Sequence, residues 1–458
     1  MSQDKTMNRW IVVAGAILVQ LCLGAIYAWS VFTPTLAKAV DAGGYGFSKL
    51  QTQLIFSVGL ATFAVVMVIA GRLQARTGPR PIAILGGIVL GIGYMLGGFL
   101  GNSFINQLVC IGLIGGAGIG LGYVVPIAVC VKWFPDKKGL ITGLAVAGFG
   151  FGATLWVKLA GGFKTLLWIV PCDFKGLLAT THLMGLPGVQ SVFLLYGFLF
   201  LVLVVLGSIV LINPPAGFRP AGWNPPAAVA ASGAVNLNEG EMLGTPQFYA
   251  LWLTFMGSAM AGLMVIGCIS LFGTDALQVR SALSEADAKT TAATAMALFA
   301  ILNGLGRILW GAASDRIGRK TSIVLMCALQ GLIMIGFYYI GGSTLGLIVG
   351  ACCIGFNFGG NFALFPTITA DTFGAKFVGQ NYGWVFLAYA LGGIAGPMLG
   401  GKLGDLGNFP LAFSICGALC LVAGGLALAL KPAAHPAAVA AAQPALATAG
   451  GAPPPPKG

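Results

Sequence analysis

The chain has 458 residues, of which 57% are hydrophobic and 8% charged, and its mean hydropathy is +0.92. Soluble domains carry about 25% charged residues, and the 24 Lys and Arg behind the net charge of +12 are dispersed among apolar runs, so a soluble globular domain and a nucleic-acid-binding face are both excluded. The 71 glycines have no period of three, which excludes collagen and suits helices packed closely in lipid.

At ~20 residues per spanning helix, the length accommodates twelve spans, and twelve apolar segments occur. In the first half they lie near 10–37, 50–73, 81–101, 104–131, 140–162 and 190–212. The first is too long for a signal-peptide core and has no convincing small-residue cleavage site, so it reads as a retained helix. The interval 163–189 holds an apolar stretch at 166–170, broken by Pro171 and followed by Asp173, Lys175 and His182. It is too short and too interrupted for two more spans, and an outside hairpin or an interfacial helix is expected there. Residues 213–245 contain Pro214-Pro215, Pro225-Pro226, Glu239 and Glu241 and read as a cytoplasmic linker. The second half offers segments near 246–273, 290–313, 321–341, 344–369, 380–401 and 409–430. Residues 431–458 are Ala/Pro-rich, cannot bury a core and are expected to be a disordered cytoplasmic tail. The fold class is therefore all-α and polytopic: a six-helix bundle in 1–212, the linker, and a second six-helix bundle in 246–430.

Placing the N-terminus inside puts fifteen Lys and Arg on the cytoplasmic side and eight on the other, with Arg307 on neither. The positive-inside rule then sets both termini in the cytoplasm, and a cytoplasmic (inner) membrane location is expected. Of the ten cysteines only Cys172 falls in an outside loop; none has metal-ligand spacing, so no metal and no cofactor are expected.

Two loops answer each other across the linker. After span eight the chain reads Gly311-Ala-Ala-Ser-Asp315-Arg316-Ile-Gly-Arg319-Lys320, and after span two it reads Gly71-Arg-Leu-Gln-Ala75-Arg76-Thr-Gly-Pro-Arg80. This resembles the cytoplasmic signature loop of the major facilitator superfamily; the second copy is intact and the first has Ala75 in place of the acid. Asp315 can pair with a helix end or an arginine, so Gly71, Arg76, Gly311, Asp315, Arg316 and Arg319 are expected to latch the outward-facing state. In the superfamily architecture the substrate site lies at the midplane between the two halves.

A narrower resemblance rests on Tyr27-Ala28-Trp29-Ser30, on 133–139 (Trp-Phe-Pro-Asp-Lys-Lys-Gly), on 241–248, on Asn303-Gly-Leu-Gly-Arg307, on Ala363-Leu-Phe-Pro366 and on Asn381-Tyr382-Gly383. In that order they are similar to the oxalate/formate antiporter family, which is related to the monocarboxylate transporters. The resemblance implies an organic anion as cargo and a span-eight arginine as its carboxylate receptor. It also implies substrate-facing roles for Tyr27, Tyr123 and Tyr389. Phe149, Phe358 and Phe362 fall where the oxalate-type pocket has larger or hydroxylated aromatics, and Tyr389 falls where oxalate exchangers carry a second cation.

The residues themselves point the same way. Arg307 lies eight positions before Asp315, about 12 Å along a helix, near the middle of a ~30 Å hydrocarbon layer. All twelve acids map to loops, span ends or the tail, so no span offers it a partner. An unpaired guanidinium facing a water-filled cavity is an anion receptor, and a planar fork suits a carboxylate. Asn303, one turn earlier, shares its face and cannot titrate. One cation argues for one carboxylate, so a short monocarboxylate such as lactate, pyruvate or formate is the expected cargo of a monomeric secondary carrier in the lipid bilayer; oxalate/formate-type exchange is the alternative. No intramembrane nucleophile, acid pair or metal cluster supports an enzyme, and no soluble domain supports a sensor.

Overall fold

The computed structural model describes residues 7–32, 35–36, 39–47, 49–161, 163–166, 170–220 and 236–430. The 431–458 tail lies outside the described residues, as does the middle of the linker. Among the described residues, twelve helices are long and apolar enough to cross a membrane. Span one is an α-helix over Arg9–Leu23 that tightens into a 3₁₀ stretch over Gly24–Val31. Spans two to six are Lys49–Thr77, Pro79–Leu100, Phe104–Trp133, Lys138–Gly161 and Gly188–Ser208. Spans seven to twelve are Pro246–Ser281, Glu285–Ile317, Arg319–Ile340, Thr344–Phe373, Val378–Asp405 and Phe409–Leu428.

Local chemistry sets the helix ends. The side chains of Asn8, Thr245, Ser343 and Asn408 each accept a backbone N–H in the first turn of spans one, seven, ten and twelve. Spans seven and eight run well past their apolar stretches, because polar turns remain helical once capped: Ser284 accepts from the Asp287 N–H at the start of span eight. The 163–189 interval contains an antiparallel hairpin, Phe163–Leu166 with Val170–Phe174, then a helical turn at Leu177–Thr180. Among its described residues the interval holds no further span.

The chain is two six-helix bundles with a repeat of 240 residues. Pro126 and Pro366 stand inside spans four and ten. Gly78 and Gly318 link spans two to three and eight to nine at φ +85° and +89°, backbone that side chains other than glycine rarely adopt. The start of span one, residues 236–245 and the two signature loops lie at one end of the bundles, the linker end. The hairpin lies at the other.

Candidate functional site

The halves meet along two seams, span five on eight and span two on eleven, and glycine permits both. A Cβ on Gly311 would stand 2.8 Å from the Gly139 carbonyl carbon, and one on Gly71 2.8 Å from the Gln380 Cα. One turn deeper, Gly143 faces the Arg307 backbone and lies 3.1 Å (as a Cβ) from the Ile308 Cα; its repeat partner Gly383 lies 2.9 Å from the Val68 Cα. Backbones in direct contact hold the linker end shut.

The same seam positions Arg307. Its side chain is 0% exposed, so in this state the guanidinium is sealed in rather than facing the open cavity expected from sequence. Nε and Nη2 donate to Asn303 Oδ1 at 3.2 and 3.0 Å, and Nη1 donates across the interface to the Val146 carbonyl at 2.9 Å. The carbon of the guanidinium sits 4.0 Å from the Phe362 ring centroid and 5.7 Å from that of Phe149. No ion pair reaches it among the described residues. Three of its five N–H donors are used. One remains on each terminal nitrogen, the number a single carboxylate takes in a two-point grip. Asn303 thus holds the guanidinium through Oδ1, and its Nδ2 is buried without a partner among the described residues. The residue 240 positions before Arg307 is Met67, also fully buried. The site is charged from one side only.

Aromatic rings enclose the guanidinium. Phe149 is edge-on to Tyr27 and Tyr123 at 5.1 and 5.3 Å between centroids, and Tyr389 is edge-on to Phe362 at 5.4 Å. The Tyr27 and Tyr389 hydroxyls are hydrogen-bonded to each other, span one to span eleven. The structure therefore gathers Arg307, Asn303, Tyr27, Tyr123, Phe149, Phe362 and Tyr389. Phe358 differs from expectation: it stands behind Phe362, 5.4 Å away, and fills the space left by the missing Cβ of Gly262 in span seven. Sequence reading missed the Val146 carbonyl, which no side-chain motif marks, and Phe386, stacked on Tyr389 at 4.8 Å. Positions 382, 386 and 389 share one helical face, a periodicity that could have revealed the latter.

At the linker end Asp315 accepts from the Gly139 and Leu140 backbone N–H groups at 2.9 and 2.8 Å and pairs with Arg319 at 2.6 Å. Asp315 thus touches both a helix end and an arginine. Arg319 also reaches Asp371, which pairs with Lys138 across the seam at 2.5 Å. Arg76 and Arg316 are exposed and join neither seam. In the first copy it is Arg72 that engages, donating to both Glu239 carboxylate oxygens at 2.7 Å and lying 5.4 Å from the Trp384 ring. Glu239 also accepts from Trp384 Nε1 at 2.8 Å. Burial pushes its carboxyl up, but hydrogen bonds from Arg72, Trp384 and Gln380 outweigh that and hold it below the ordinary carboxylate range.

A family model described as the Major Facilitator Superfamily matches residues 17–397 and 282–453. The chain belongs to that superfamily. It is 26% identical over 427 residues to the oxalate:formate antiporter of Oxalobacter formigenes, covering 93% of this chain and 92% of that one. It is 26% identical over 458 residues to apicoplast pyruvate carrier 1 of Toxoplasma gondii, covering 84% and 83%. The fold is that of the fucose:proton symporter FucP of E. coli, with a TM-score of 0.63 at 15% identity over 92% of this chain and all of that one. Family and fold are those of transporters, and the protein is a multi-pass membrane transporter.

Proposed function

We propose that the protein is a secondary active transporter that moves a small monocarboxylate by alternating access, with Arg307 as the carboxylate receptor. The observation that carries this is a fully buried guanidinium with no acidic partner among the described residues and one free N–H on each terminal nitrogen. A charge so placed costs at least ~2.5–3.5 kcal/mol on insertion scales, and a carboxylate of opposite sign offsets it on binding. The linker end is taken as cytoplasmic, which makes the present state shut towards the cytoplasm. The Tyr27–Tyr389 bond then lies over the receptor and has to yield as cargo enters.

Oxalate/formate-type exchange is the second reading, supported by the similarity to the Oxalobacter antiporter. Against it stands Tyr389. With one fixed cation, a dicarboxylate leaves a net −1 in a low-dielectric site, costing several kcal/mol.

A thermal-shift screen of the purified protein against C1 to C5 mono- and dicarboxylates tests both readings. Arg307→Ala should abolish every shift while the protein still folds, and Arg307→Lys should be badly impaired because an ammonium lacks the planar fork. Shifts that survive in Arg307→Ala would end the proposal; a shift with oxalate alone would put exchange first.

A further inference from the structure

We infer that Tyr382, together with Tyr123, decides which carboxylates are accepted, by hydrogen-bonding an oxygen on carbon 2 of the cargo. On this inference 2-oxo and 2-hydroxy monocarboxylates are favoured over formate and over plain alkanoates. It rests on the reading that Arg307 takes the carboxylate.

Tyr382 is 0% exposed and Tyr123 1%, and neither hydroxyl has a hydrogen-bond partner among the described residues. Such groups are rare in folded proteins, because a buried donor left unpaired forfeits its hydration with nothing in return. Packing does not account for them. The Tyr382 ring meets Phe386 at 5.7 Å and the Tyr123 ring meets Phe63 and Phe386 at 5.0 and 5.4 Å, contacts a phenylalanine would make equally well. What tyrosine adds at each place is the hydroxyl alone.

Their position gives the hydroxyls a use. Tyr382 stands on span eleven where it meets the first half, since the next residue, Gly383, packs on Val68 of span two. It shares a helical face with Phe386 and Tyr389; Phe386 meets the Tyr123 ring as well, and Tyr389 lies against Phe362, the ring that covers the guanidinium. The aromatic shell around the guanidinium therefore holds two hydroxyls unengaged among the described residues, in addition to the two free N–H donors of Arg307. A carboxylate consumes the guanidinium donors. The hydroxyls remain for a further polar atom, and because a phenol can donate or accept, they serve a ketone and an alcohol alike. Acetate and propionate have no oxygen on carbon 2, and formate has no carbon 2. A site built to bond such an oxygen rejects the analogue lacking it, since its own polar groups are then left unpaired.

The test compares Kd values of the full-length protein for pyruvate, lactate and propionate, in wild type and in Tyr382→Phe and Tyr123→Phe. Wild type should bind pyruvate or lactate at least tenfold tighter than propionate. Each variant should weaken pyruvate and lactate about tenfold and leave propionate unchanged, so that the ratio collapses. Each removes one oxygen from a packed ring, so ligand-free thermal stability should hold or rise, which separates lost recognition from misfolding. An unchanged ratio, or parallel weakening of all three acids, would overturn the inference. Equal binding of pyruvate and propionate by wild type also overturns it and leaves the monocarboxylate reading standing; binding of none overturns both.

Discussion

The two seams of the transporter are copies of one contact, yet they obtain their carboxylate differently. In both, residues 240 apart bring backbone against backbone: Gly311 on Gly139 in one, Gly71 on Gly379 in the other. On the second-copy side Asp315 belongs to the signature loop and caps the N-terminus of span five directly. On the first-copy side that position is Ala75, and the acid comes from the linker, as Glu239, which clasps Arg72 of the first half and Trp384 of the second. The linker is seated there by its backbone: Leu237 exchanges bonds with the Phe373 carbonyl and the Asn381 side chain, and Asn238 and Glu241 form a capping box. The difference teaches that the repeat preserves the steric half of the latch, which has to be local, whereas the charged half can be supplied by any segment that reaches the same place.

The most severe test of this equivalence is steric. Gly311→Val and Gly71→Val should both force the seams apart, because the first atoms met are backbone, which cannot rotate away. Fluorescence energy transfer between labels at the exposed positions Arg80 and Lys376, one in each half, should then report a wider linker end in both variants. A change in only one would break the symmetry argument. Next in size is Asp315→Asn. Loss of charge weakens the two short backbone bonds that cross the seam, about 2 kcal/mol in favour of the shut end, and the same label pair should show a mixed population. A distribution like that of wild type would mean that the glycine contacts alone hold the latch.

The smallest effect is expected from Glu239→Gln. Arg72 is about half exposed, so the pair contributes no more than ~1 kcal/mol and fades with salt. The pH dependence has a definite sign. The Glu239 pKa is lowered by the folded environment, so its contribution is complete above the ordinary carboxylate range and is lost as pH falls through that lowered value. Between pH 7 and 5 the clasp should not respond. Ala75→Asp, which restores the acid at the place equivalent to Asp315, should rescue Glu239→Gln by capping span eleven. Failure to rescue would show that the linker does more in the first seam than supply a charge.

Much of this was legible without coordinates because bilayer physics is strict. Runs of about twenty apolar residues have to be helices, so the twelve spans, the bundles and the linker follow from hydropathy. A lone arginine in such a run has to be either satisfied or functional, so Arg307 stands out in one dimension. Asp315 stands out from its loop alone, since a carboxylate there can meet a helix end or an arginine. What the sequence alone does not contain is which backbone groups and which distant side chains arrive at the same point. That Val146 offers its carbonyl to Arg307, that Phe358 retreats behind Phe362, and that Glu239 replaces the acid missing at Ala75 all depend on how the two halves close. Those contacts join residues tens to hundreds of positions apart, through atoms every residue possesses or through space a glycine leaves open, and only packing in three dimensions selects among them.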